Sequence, residues 1–524
     1  MTADTIPALL AQAVEKCGPQ AAVVDGSTAL TYADLAERAR SFAAALVASG
    51  VEPDDRVAIW AFNSTEWVVA ALGLFEAGAV LVPVNTRFKG VEAGGILARS
   101  GARVLVTVTD FLGTDYVALL RDGGVPTPSL ATVVVARGPT ARGTVSWTDF
   151  LGRASDEHFA EVDRRCGAVR RDDASDILFT SGTTGVPKGV VMTHGRTLRV
   201  ATDWVAMTGL TADDRYLMVN PYFHMFGLKA GILACVVSGA TMFPEPVFDV
   251  DRVLSRVGAE RITVLPGPPT LYQSILDHER RSDVDLSSLR VAVTGAADIP
   301  VELIRRVRDE LPFRVVVTGY GLTEAGTATA TSPEDDFEVV ATTVGRGRPG
   351  FDVRIVDRDG NEVAGGEPGE VLVRGPSVMS HYLDDPEATA ATLSPEGWLR
   401  TGDLGVIDGA GNLRIVGRVK DMFIVGGFNA YPAEIENALL RHPDVSQAAV
   451  IGVPDERLGE VGMAFLILRP GATTTGDEII AWSRDQMANY KVPRVVQLVA
   501  DLPLNATGKV EKNVLRARAA VPTN

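Results

Sequence analysis

Short apolar runs alternate with longer amphipathic stretches between residues 21 and 240 of the chain. Residues 57–60, 79–83 and 104–108 are three such runs, each rich in valine, isoleucine, leucine or alanine. This rhythm is typical of parallel strands that are joined by crossover helices. The pattern therefore predicts an α/β fold for this part of the chain.

One piece of the pattern occurs twice. Residues 74–83 and residues 235–244 both predict the end of a helix, then a glycine, then a buried strand that ends in proline. Glycine at the end of a helix is a common stop signal because it adopts a left-handed conformation without strain. The repetition predicts two similar mixed α/β sub-domains.

The pattern changes after about residue 342. Apolar runs at 353–356, 371–373 and 413–416 lie between Asp-Gly and Gly-Asn turns, which predicts a small antiparallel β-barrel or sheet. Beyond residue 420 the pattern is mixed again: a helix from Pro432, strands at 448–452 and 462–468, and a helix from Asp477. These elements predict a compact α+β domain of roughly a hundred residues at the C-terminus.

Composition limits the classes of function. The 524 residues suffice for at least two domains, and the net charge of −16 makes nucleic acids and anionic membranes poor partners. Residues 67–84 come nearest to a membrane span, but they divide into a buried helix and a buried strand, and the first residues do not resemble a secretory signal. Three widely spaced cysteines predict buried thiols in a reducing cytoplasm and no metal site.

The most distinctive segment is residues 177–189, where an apolar strand leads into hydroxyls and glycines and then Lys188. Glycines let backbone N–H groups turn toward one anion, hydroxyls add donors, and the lysine adds positive charge. The segment predicts a polyphosphate site rather than a flexible surface loop. It lacks the Gly-Lys-Ser/Thr ending of nucleotide triphosphatases, and residues 345–350 match G-x-G-x-x-G without a leading strand or a following helix, which indicates an accidental match.

Five segments in order resemble motifs of the adenylate-forming superfamily, which contains acyl-CoA synthetases, luciferases and adenylation domains. Residues 180–189 resemble its phosphate loop, residues 320–324 its YGxTE motif and residues 398–403 its WxxTGD motif. Residues 417–429 and 503–509 resemble its hinge and glycine segment and its terminal PxxxxGK motif. The resemblance covers nearly the whole chain and implies an N-terminal domain at 1–419 and a mobile C-terminal domain at 420–524.

The resemblance implies an ATP-dependent acid–thiol ligase that forms acyl-AMP with release of pyrophosphate and then passes the acyl group to CoA. Glu324 and Thr180 are implied as Mg2+ ligands, and Lys509 as the cation between carboxylate and α-phosphate, so these three are the implied catalytic residues. Tyr320 is implied to stack on adenine, and Asp403 with Arg418 to hold the ribose. The residues implied in ATP binding are Thr180, Ser181, Gly182, Thr183, Thr184, Gly185, Lys188, Gly295, Ala296, Ala297, Tyr320, Gly321, Leu322, Thr323, Glu324, Asp403, Arg418 and Lys509.

The same resemblance implies roles on the CoA and acyl sides. Lys420 stands at the hinge position with a backbone role, and Gly426 and Gly427 stand on the loop that faces CoA. The aromatic segment 220–227 is implied to lie beside the acyl pocket, where His224 gates the pocket. The alternative is that His224 is a buried histidine whose hydrogen bonds are all made within the core. The residues implied in the acyl pocket are Phe223, His224, Phe226, Gly227 and Gly267.

The identity of the acid leaves alternatives open. Amino-acid-activating relatives have an aspartate where this chain has His224, which argues against an amino acid. Residues 262–269 and 293–297 resemble actinobacterial CoA ligases that act on the bicyclic propanoates left by steroid-ring degradation. The alternatives are a medium- or long-chain fatty-acyl-CoA ligase, a ligase that serves a carrier protein, luciferase-like oxidation, and a non-catalytic nucleotide-binding relative. The sequence also leaves open whether the protein forms a homodimer.

Overall fold

The computed structural model describes residues 3–180, 187–295, 301–426, 428–504 and 510–519. In these residues helices and mixed sheets alternate, which confirms the α/β prediction. Many helices begin at a local signal, as at Thr31, whose side chain accepts from the Asp34 N–H while the Asp34 carboxylate accepts from the Thr31 N–H.

The first sheet lies in the N-terminal part of the chain. Its strands in the described residues, in spatial order, are His381–Tyr382, Lys188–Thr193, Ala174–Thr180, Val80–Pro83, Arg56–Trp60, Val104–Val108, Thr132–Arg137 and Val145–Ser146. The strands from Ala174–Thr180 to Val145–Ser146 pair in parallel. The apolar runs at 57–60, 79–83 and 104–108 therefore form neighbouring buried strands, as the sequence pattern predicts.

The second sheet has the same character. Its strands in the described residues, in spatial order, are Arg346–Gly347, Gly326–Ala330, Val315–Leu322, Val291–Gly295, Val264–Gly267, Arg215–Met218, Thr241–Pro244, Ala21–Asp25 and Thr28–Thr31. Its middle strands are parallel, and both edges are antiparallel. The two sheets together match the predicted pair of similar mixed α/β sub-domains.

The repeated helix–glycine–strand unit contributes one strand to each sheet. Helix Thr65–Glu76 precedes Gly78, which has a φ of 74°, and strand Val80–Pro83 follows. Gly239 has a φ of 82° and leads from helix Ala234–Ser238 into strand Thr241–Pro244. Both glycines adopt the left-handed conformation that the sequence pattern predicts.

Helices in the described residues pack against the large sheets and against the C-terminal strands. Their bounds are Ile6–Cys17, Tyr32–Ala48, Thr65–Glu76, Gly90–Ser100, Tyr116–Asp122, Trp147–Leu151, Asp156–Ala168, His194–Thr208, Met225–Gly227, Ala234–Ser238, Val250–Glu260, Pro269–Leu276, Val301–Glu310, Phe337–Thr342, Pro386–Thr392, Pro432–Leu439, Gly476–Gln486 and Lys512–Ala519. A π-helix spans Leu228–Leu233, and a 3-10 helix spans Glu279–Asp283. No helix in the described ranges is long and apolar enough to cross a membrane.

A smaller antiparallel sheet follows the second sheet in the chain. Its strands in the described residues, in spatial order, are Asp352–Val356, Gly369–Arg374, Leu399–Ile407 and Leu413–Arg418. In the described residues the first and last of these strands do not pair with each other. The sequence predicts either a barrel or a sheet here, and the structure forms an open sheet. Arg346–Gly347 is a two-residue strand, and a turn follows it, which agrees with an accidental G-x-G-x-x-G match.

The C-terminal part contains strands Phe423–Val425, Phe428–Ala430, Val445–Asp455, Gly459–Leu468 and Val495–Leu498. Helices Pro432–Leu439 and Gly476–Gln486 begin where the sequence predicts them, and both predicted strands are longer than expected. One expectation is corrected: Cys235 is buried, but Cys17 and Cys166, which lie near the ends of helices Ile6–Cys17 and Asp156–Ala168, are partly exposed.

Candidate active site

A large cavity of about 1490 Å³ lies where several strands of the two sheets end. Thr180 and Gly295 are the last residues of parallel strands, and the carboxyl ends of such strands are the usual position of ligand sites in α/β folds. The smaller sheet and the C-terminal part contribute further walls. The predicted site residues that line this cavity are Thr180, Lys188, His224, Phe226, Gly295, Tyr320, Gly321, Leu322, Thr323, Glu324, Asp403, Arg418 and Lys420.

The predicted phosphate loop connects two paired strands. Strand Ala174–Thr180 pairs antiparallel with Lys188–Thr193, and Thr180 stands opposite Lys188. This hairpin holds a hydroxyl and a cation side by side at the cavity wall. Several predicted site residues lie outside the described residues: Ser181, Gly182, Thr183, Thr184, Gly185, Ala296, Ala297, Gly427 and Lys509.

Three of the residues implied in the acyl pocket are not among the described residues that line the cavity. A Cβ at Gly227 would lie 2.1 Å from the Pro221 carbonyl oxygen, so the absence of a side chain there serves backbone packing. A Cβ at Gly267 would lie 2.7 Å from Leu271 Cδ1, inside a well-packed strand end. Phe223 is half-buried just before His224, but its neighbours His224, Met225 and Phe226 form the wall instead.

A hydrogen-bonded cluster joins the second sheet to the smaller one. The Tyr320 hydroxyl donates to Asp403 Oδ2 at 2.6 Å, and Arg418 Nε lies 2.9 Å from Asp403 Oδ1. Asp403 and Arg418 are opposite each other on neighbouring antiparallel strands, which fixes their contact. Burial, and then the Asp403 carboxylate, raise the pKa of Tyr320 well above its ordinary value, so this phenol stays a donor at neutral pH.

Glu324 stands in the cavity wall after strand Val315–Leu322. Burial raises the pKa of its carboxyl above the ordinary value, and the hydroxyl of Tyr382 donates to its Oε1 at 3.0 Å. Burial and Glu324 together raise the pKa of Tyr382. A buried carboxylate with a neutral partner is in an environment that a cation would stabilise.

Tyr382 is a site residue that the sequence analysis missed. Its strand His381–Tyr382 pairs with Lys188–Thr193, and Lys188 Nζ lies 4.9 Å from the centre of the Tyr382 ring. Tyr382 therefore contacts both the lysine and the glutamate of the site. A two-residue strand gives no periodic signal, so the pattern of apolar and polar positions does not reveal it.

The apolar end of the cavity is formed by helix His194–Thr208 and the segment after Pro221. The Trp204 and Phe226 rings meet edge to face with centroids 5.1 Å apart, and Met207, Met225 and Ala230 also line the wall. His224 Nδ1 accepts from the Phe226 N–H at 3.2 Å, which caps helix Met225–Gly227. Trp204 and Met207 were not predicted, because their helical spacing indicates only a buried face.

Polar groups also reach this end. Helix Pro269–Leu276 places Thr270, Gln273 and Ser274 on the cavity wall. The Ser274 hydroxyl donates to the Thr270 carbonyl at 2.9 Å, and the Gln273 amide donates to Asp277. The wall thus combines apolar side chains with side chains that form hydrogen bonds, as small-molecule sites usually do.

The predicted hinge lies between the smaller sheet and the C-terminal part. Lys420 is exposed in the turn after strand Leu413–Arg418. Its neighbour Asp421 pairs with Arg516 of the last helix at 2.7 Å. Gly426 does not line the cavity; it has a φ of 55°, and its N–H donates to the Leu458 carbonyl at 2.8 Å.

Comparison with known proteins agrees with this geometry. Residues 10–383 match the AMP-binding enzyme family, and residues 434–509 match the AMP-binding enzyme C-terminal domain. The chain belongs to the AMP-binding enzymes and is an acyl-CoA ligase. The solved structure of the anthranilate CoA ligase AuaEII in complex with anthranoyl-AMP is similar to this ligase, with a TM-score of 0.88, 28% identity, and coverage of 98% of this chain and 97% of that chain.

Two relatives are similar to the ligase over nearly its whole length. A Rhodococcus jostii (strain RHA1) protein named 3-[(3aS,4S,7aS)-7a-methyl-1,5-dioxo-octahydro-1H-inden-4-yl]propanoyl:CoA ligase is 50% identical over 98% of both chains. A protein of the same name from Mycobacterium tuberculosis (strain ATCC 25618 / H37Rv) is also 50% identical over 98% of both chains. The ligase thus has relatives for which a bicyclic propanoate is named.

Proposed function

We propose that the ligase activates a propanoate carried on a methylated, oxidised two-ring skeleton, the steroid-ring-derived acid of its two similar relatives. The observation that carries the proposal is the 50% identity to both over 98% of the chain. The cavity supports it, since a wall that includes apolar side chains such as Trp204 and Phe226 together with polar side chains suits fused rings that bear ketones.

In the proposed reaction the carboxylate attacks the α-phosphorus of ATP, pyrophosphate leaves, and the thiol of CoA then displaces AMP. Two anions must meet in the first step, so cations and oriented donors carry much of the catalysis. The phosphate loop from Thr180 to Lys188 receives the phosphates. Tyr320 borders the adenine beside Gly295, and Asp403 with Arg418 holds the ribose. The existing contacts of Asp403 with Tyr320 and Arg418 keep its carboxylate in position for this role.

Magnesium fits the residues at the wall. Mg2+ prefers oxygen ligands, and Glu324 offers a buried carboxylate whose pKa is raised by burial, which the nearby charge of Arg418 offsets only in part. We assign Glu324 and Thr180 as its ligands. The ion would neutralise phosphate charge, while Tyr382 orients the Glu324 carboxylate through its hydroxyl.

The remaining assignments concern the C-terminal domain, proposed to span residues 420–524. Lys509 is assigned to the approaching carboxylate and α-phosphate, and Lys420 to the backbone pivot. Gly426 and Gly427 are assigned to the side that receives CoA. The free cysteines favour a reducing compartment, so we assign the enzyme to the cytoplasm. Its assignment to steroid catabolism rests on the two relatives alone.

A panel of carboxylic acids tests the proposed substrate. The enzyme is incubated with ATP, Mg2+, CoA and each acid in turn, and kcat/KM is compared between the bicyclic propanoate, straight-chain acids of several lengths, and ferulate. We expect the bicyclic acid to be preferred by a factor of about 10² or more, since each unfilled methylene-sized volume costs about 1 kcal/mol. A straight-chain acid that equals or exceeds it would identify a fatty-acyl-CoA ligase.

A further inference from the structure

A lysine and an aspartate form an ion pair inside the N-terminal domain, behind the cavity wall. Lys229 and Asp176 are both 0% exposed, and Lys229 Nζ lies 2.8 Å from Asp176 Oδ1. Neither belongs to the described residues that line the cavity. Burying two charges is unfavourable unless their geometry is well satisfied, so such a pair requires a physical reason.

The environment of Asp176 is satisfied by named donors. The Ser175 hydroxyl donates to Asp176 Oδ2 at 2.7 Å, and the Thr197 hydroxyl donates to the same oxygen at 2.6 Å. The other carboxylate oxygen faces the lysine. Burial lowers the pKa of the Lys229 amine, and the Asp176 carboxylate opposes that change. Each charge therefore depends on the other.

The pair connects three elements that each contribute to the cavity wall. Asp176 lies on strand Ala174–Thr180, which ends at the phosphate loop, and Thr197 lies on helix His194–Thr208, which presents Trp204 and Met207. Lys229 lies on the π-helix Leu228–Leu233, next to the wall residue Ala230. The ATP end and the acid end of the cavity are thus joined through one carboxylate.

Lys229 belongs to an unusual element, the π-helix Leu228–Leu233. A π-helix is rare and is found mostly as a single turn at functional sites, because its wider turn displaces side chains from their regular helical positions. A second buried contact holds the same turn: the Tyr216 hydroxyl donates to the Ala230 carbonyl at 2.9 Å. Apolar packing alone has little direction, whereas these polar contacts specify one position of the turn.

We propose that the Lys229–Asp176 pair is a positioning device that fixes the acyl-pocket wall relative to the phosphate-loop strand and so determines which carboxylic acids the ligase accepts. The inference rests on the proposed acyl pocket but not on the identity of the preferred acid. Lys229 acts through Ala230 and its neighbours, and Asp176 through the strand that leads to Thr180. Both are positioning residues that do not touch the substrate.

The test removes both charges together. The double variant Lys229→Met, Asp176→Asn leaves no uncompensated buried charge, which a single substitution would do. The control is Glu245→Gln with Arg256→Met, a pair 2.8 Å apart in which the glutamate is buried and the arginine partly exposed. It lies outside the described part of the cavity wall, and its further partners Arg252 and Glu260 remain in place. For each protein, the thermal midpoint, kcat and the KM values for acid and ATP are measured over the acid panel.

We expect the KM for the best acid to rise about tenfold and its preference over the next class of acid to fall by a similar factor, with the KM for ATP changed less than about twofold. The control variant should keep both the preference and the KM for acid. A folded double variant with wild-type preference would overturn the proposal, and so would equal increases in the KM for acid and for ATP.

A milder variant keeps the test decisive if the double variant does not fold. Tyr216→Phe removes the hydroxyl that holds the π-helix, and its control, Tyr116→Phe, removes a buried hydroxyl that donates to the Thr86 carbonyl at 2.9 Å. We expect Tyr216→Phe to lower the acid preference and Tyr116→Phe to leave it unchanged; equal preference in both overturns the proposal. The preference is measured for whichever acid of the panel has the highest kcat/KM. A straight-chain acid in that place would therefore refute the proposed substrate but not the proposed role of the Lys229–Asp176 pair.

Discussion

At the scale of single residues, the site is built from polar side chains whose ordinary chemistry is altered by burial. Glu324 is surrounded by protein, so its charged form lacks the hydration that a surface carboxylate has. The Tyr382 hydroxyl supplies one hydrogen bond but no charge. The charge of Arg418 offsets burial only in part, so a divalent cation beside Glu324 would stabilise the carboxylate further.

Replacing Glu324 by glutamine tests its assignment as a metal ligand. A neutral amide is a weaker ligand for Mg2+ than a carboxylate, so Glu324→Gln should raise the Mg2+ concentration for half-maximal activity by about tenfold or more. A magnesium titration of acyl-CoA formation measures this. Glu338→Gln, at an exposed position of helix Phe337–Thr342, is the control and should titrate as the wild type does. An unchanged titration for Glu324→Gln would remove Glu324 from the metal site.

Lys509 is expected to act in only one of the two half-reactions. Lys509→Ala should slow acyl-AMP formation by a factor of about 10² to 10³, the usual loss for a positioned charge-stabilising group. Thioester formation from supplied acyl-AMP should continue at nearly the wild-type rate. The two half-reactions are measured separately on the same preparation, so each controls the other. Equal losses in both would contradict the assignment.

At the scale of elements, the sequence pattern predicts what depends on local periodicity. The buried strands of the first sheet, the Gly78 and Gly239 turns, and the helix from Pro432 are all found where the apolar spacing and the turn residues predict them. These features depend on neighbours in the chain. The strand before the phosphate loop, Ala174–Thr180, belongs to the same group.

Elements that depend on tertiary contacts were not predictable in this way. The π-helix Leu228–Leu233 has an ordinary helical composition, and its wider turn is held by Asp176 and Tyr216, which are distant in sequence. Tyr382 comes to Glu324 through strand pairing with residues 188–193. The helical spacing of Trp204 indicates only a buried residue, and its place in the cavity wall depends on its contact with Phe226. Apolar patterning records burial but not which buried faces meet.

The proposed hinge at Lys420 is expected to act through its backbone. Lys420→Pro fixes φ and removes an N–H, so it should restrict rotation of the C-terminal domain. We expect the variant to retain acid-dependent exchange of pyrophosphate into ATP while it loses CoA consumption. Lys420→Ala removes the same side chain with a free backbone and should carry out both reactions. A proline variant that forms acyl-CoA at the normal rate would show that the pivot lies elsewhere.

At the scale of the whole molecule, one cavity receives walls from both large sheets, the smaller sheet and the C-terminal part. This arrangement explains why the predicted motifs are spread over most of the chain. Thr180 and Lys188 lie at adjacent strand ends of the first sheet, residues 320–324 at a strand end of the second, and Asp403 on the smaller one. A single sheet would not bring them to one place.

Global stability should depend on pH through a carboxyl far from this cavity. Glu76 ends helix Thr65–Glu76 among neighbouring helices, and burial raises its pKa to about 8. The unfolded chain releases this proton near the ordinary carboxyl pKa, whereas the folded chain retains it to about pH 8. The neutral carboxyl therefore contributes stability that is complete below the unfolded pKa and is lost as the pH rises through the folded pKa.

Glu76→Gln should abolish this loss because the amide stays neutral at every pH. We expect the variant and the wild type to have similar thermal midpoints near pH 5, and the variant to be more stable near pH 8 by about 2 °C or more. Glu15→Gln, at an exposed position of helix Ile6–Cys17, should follow the wild type at both pH values. Thermal unfolding followed by circular dichroism at the two pH values measures the difference. A variant whose midpoint changes with pH as the wild type's does would show that Glu76 is already ionised in the folded protein and that a cationic neighbour such as Arg40 compensates its charge.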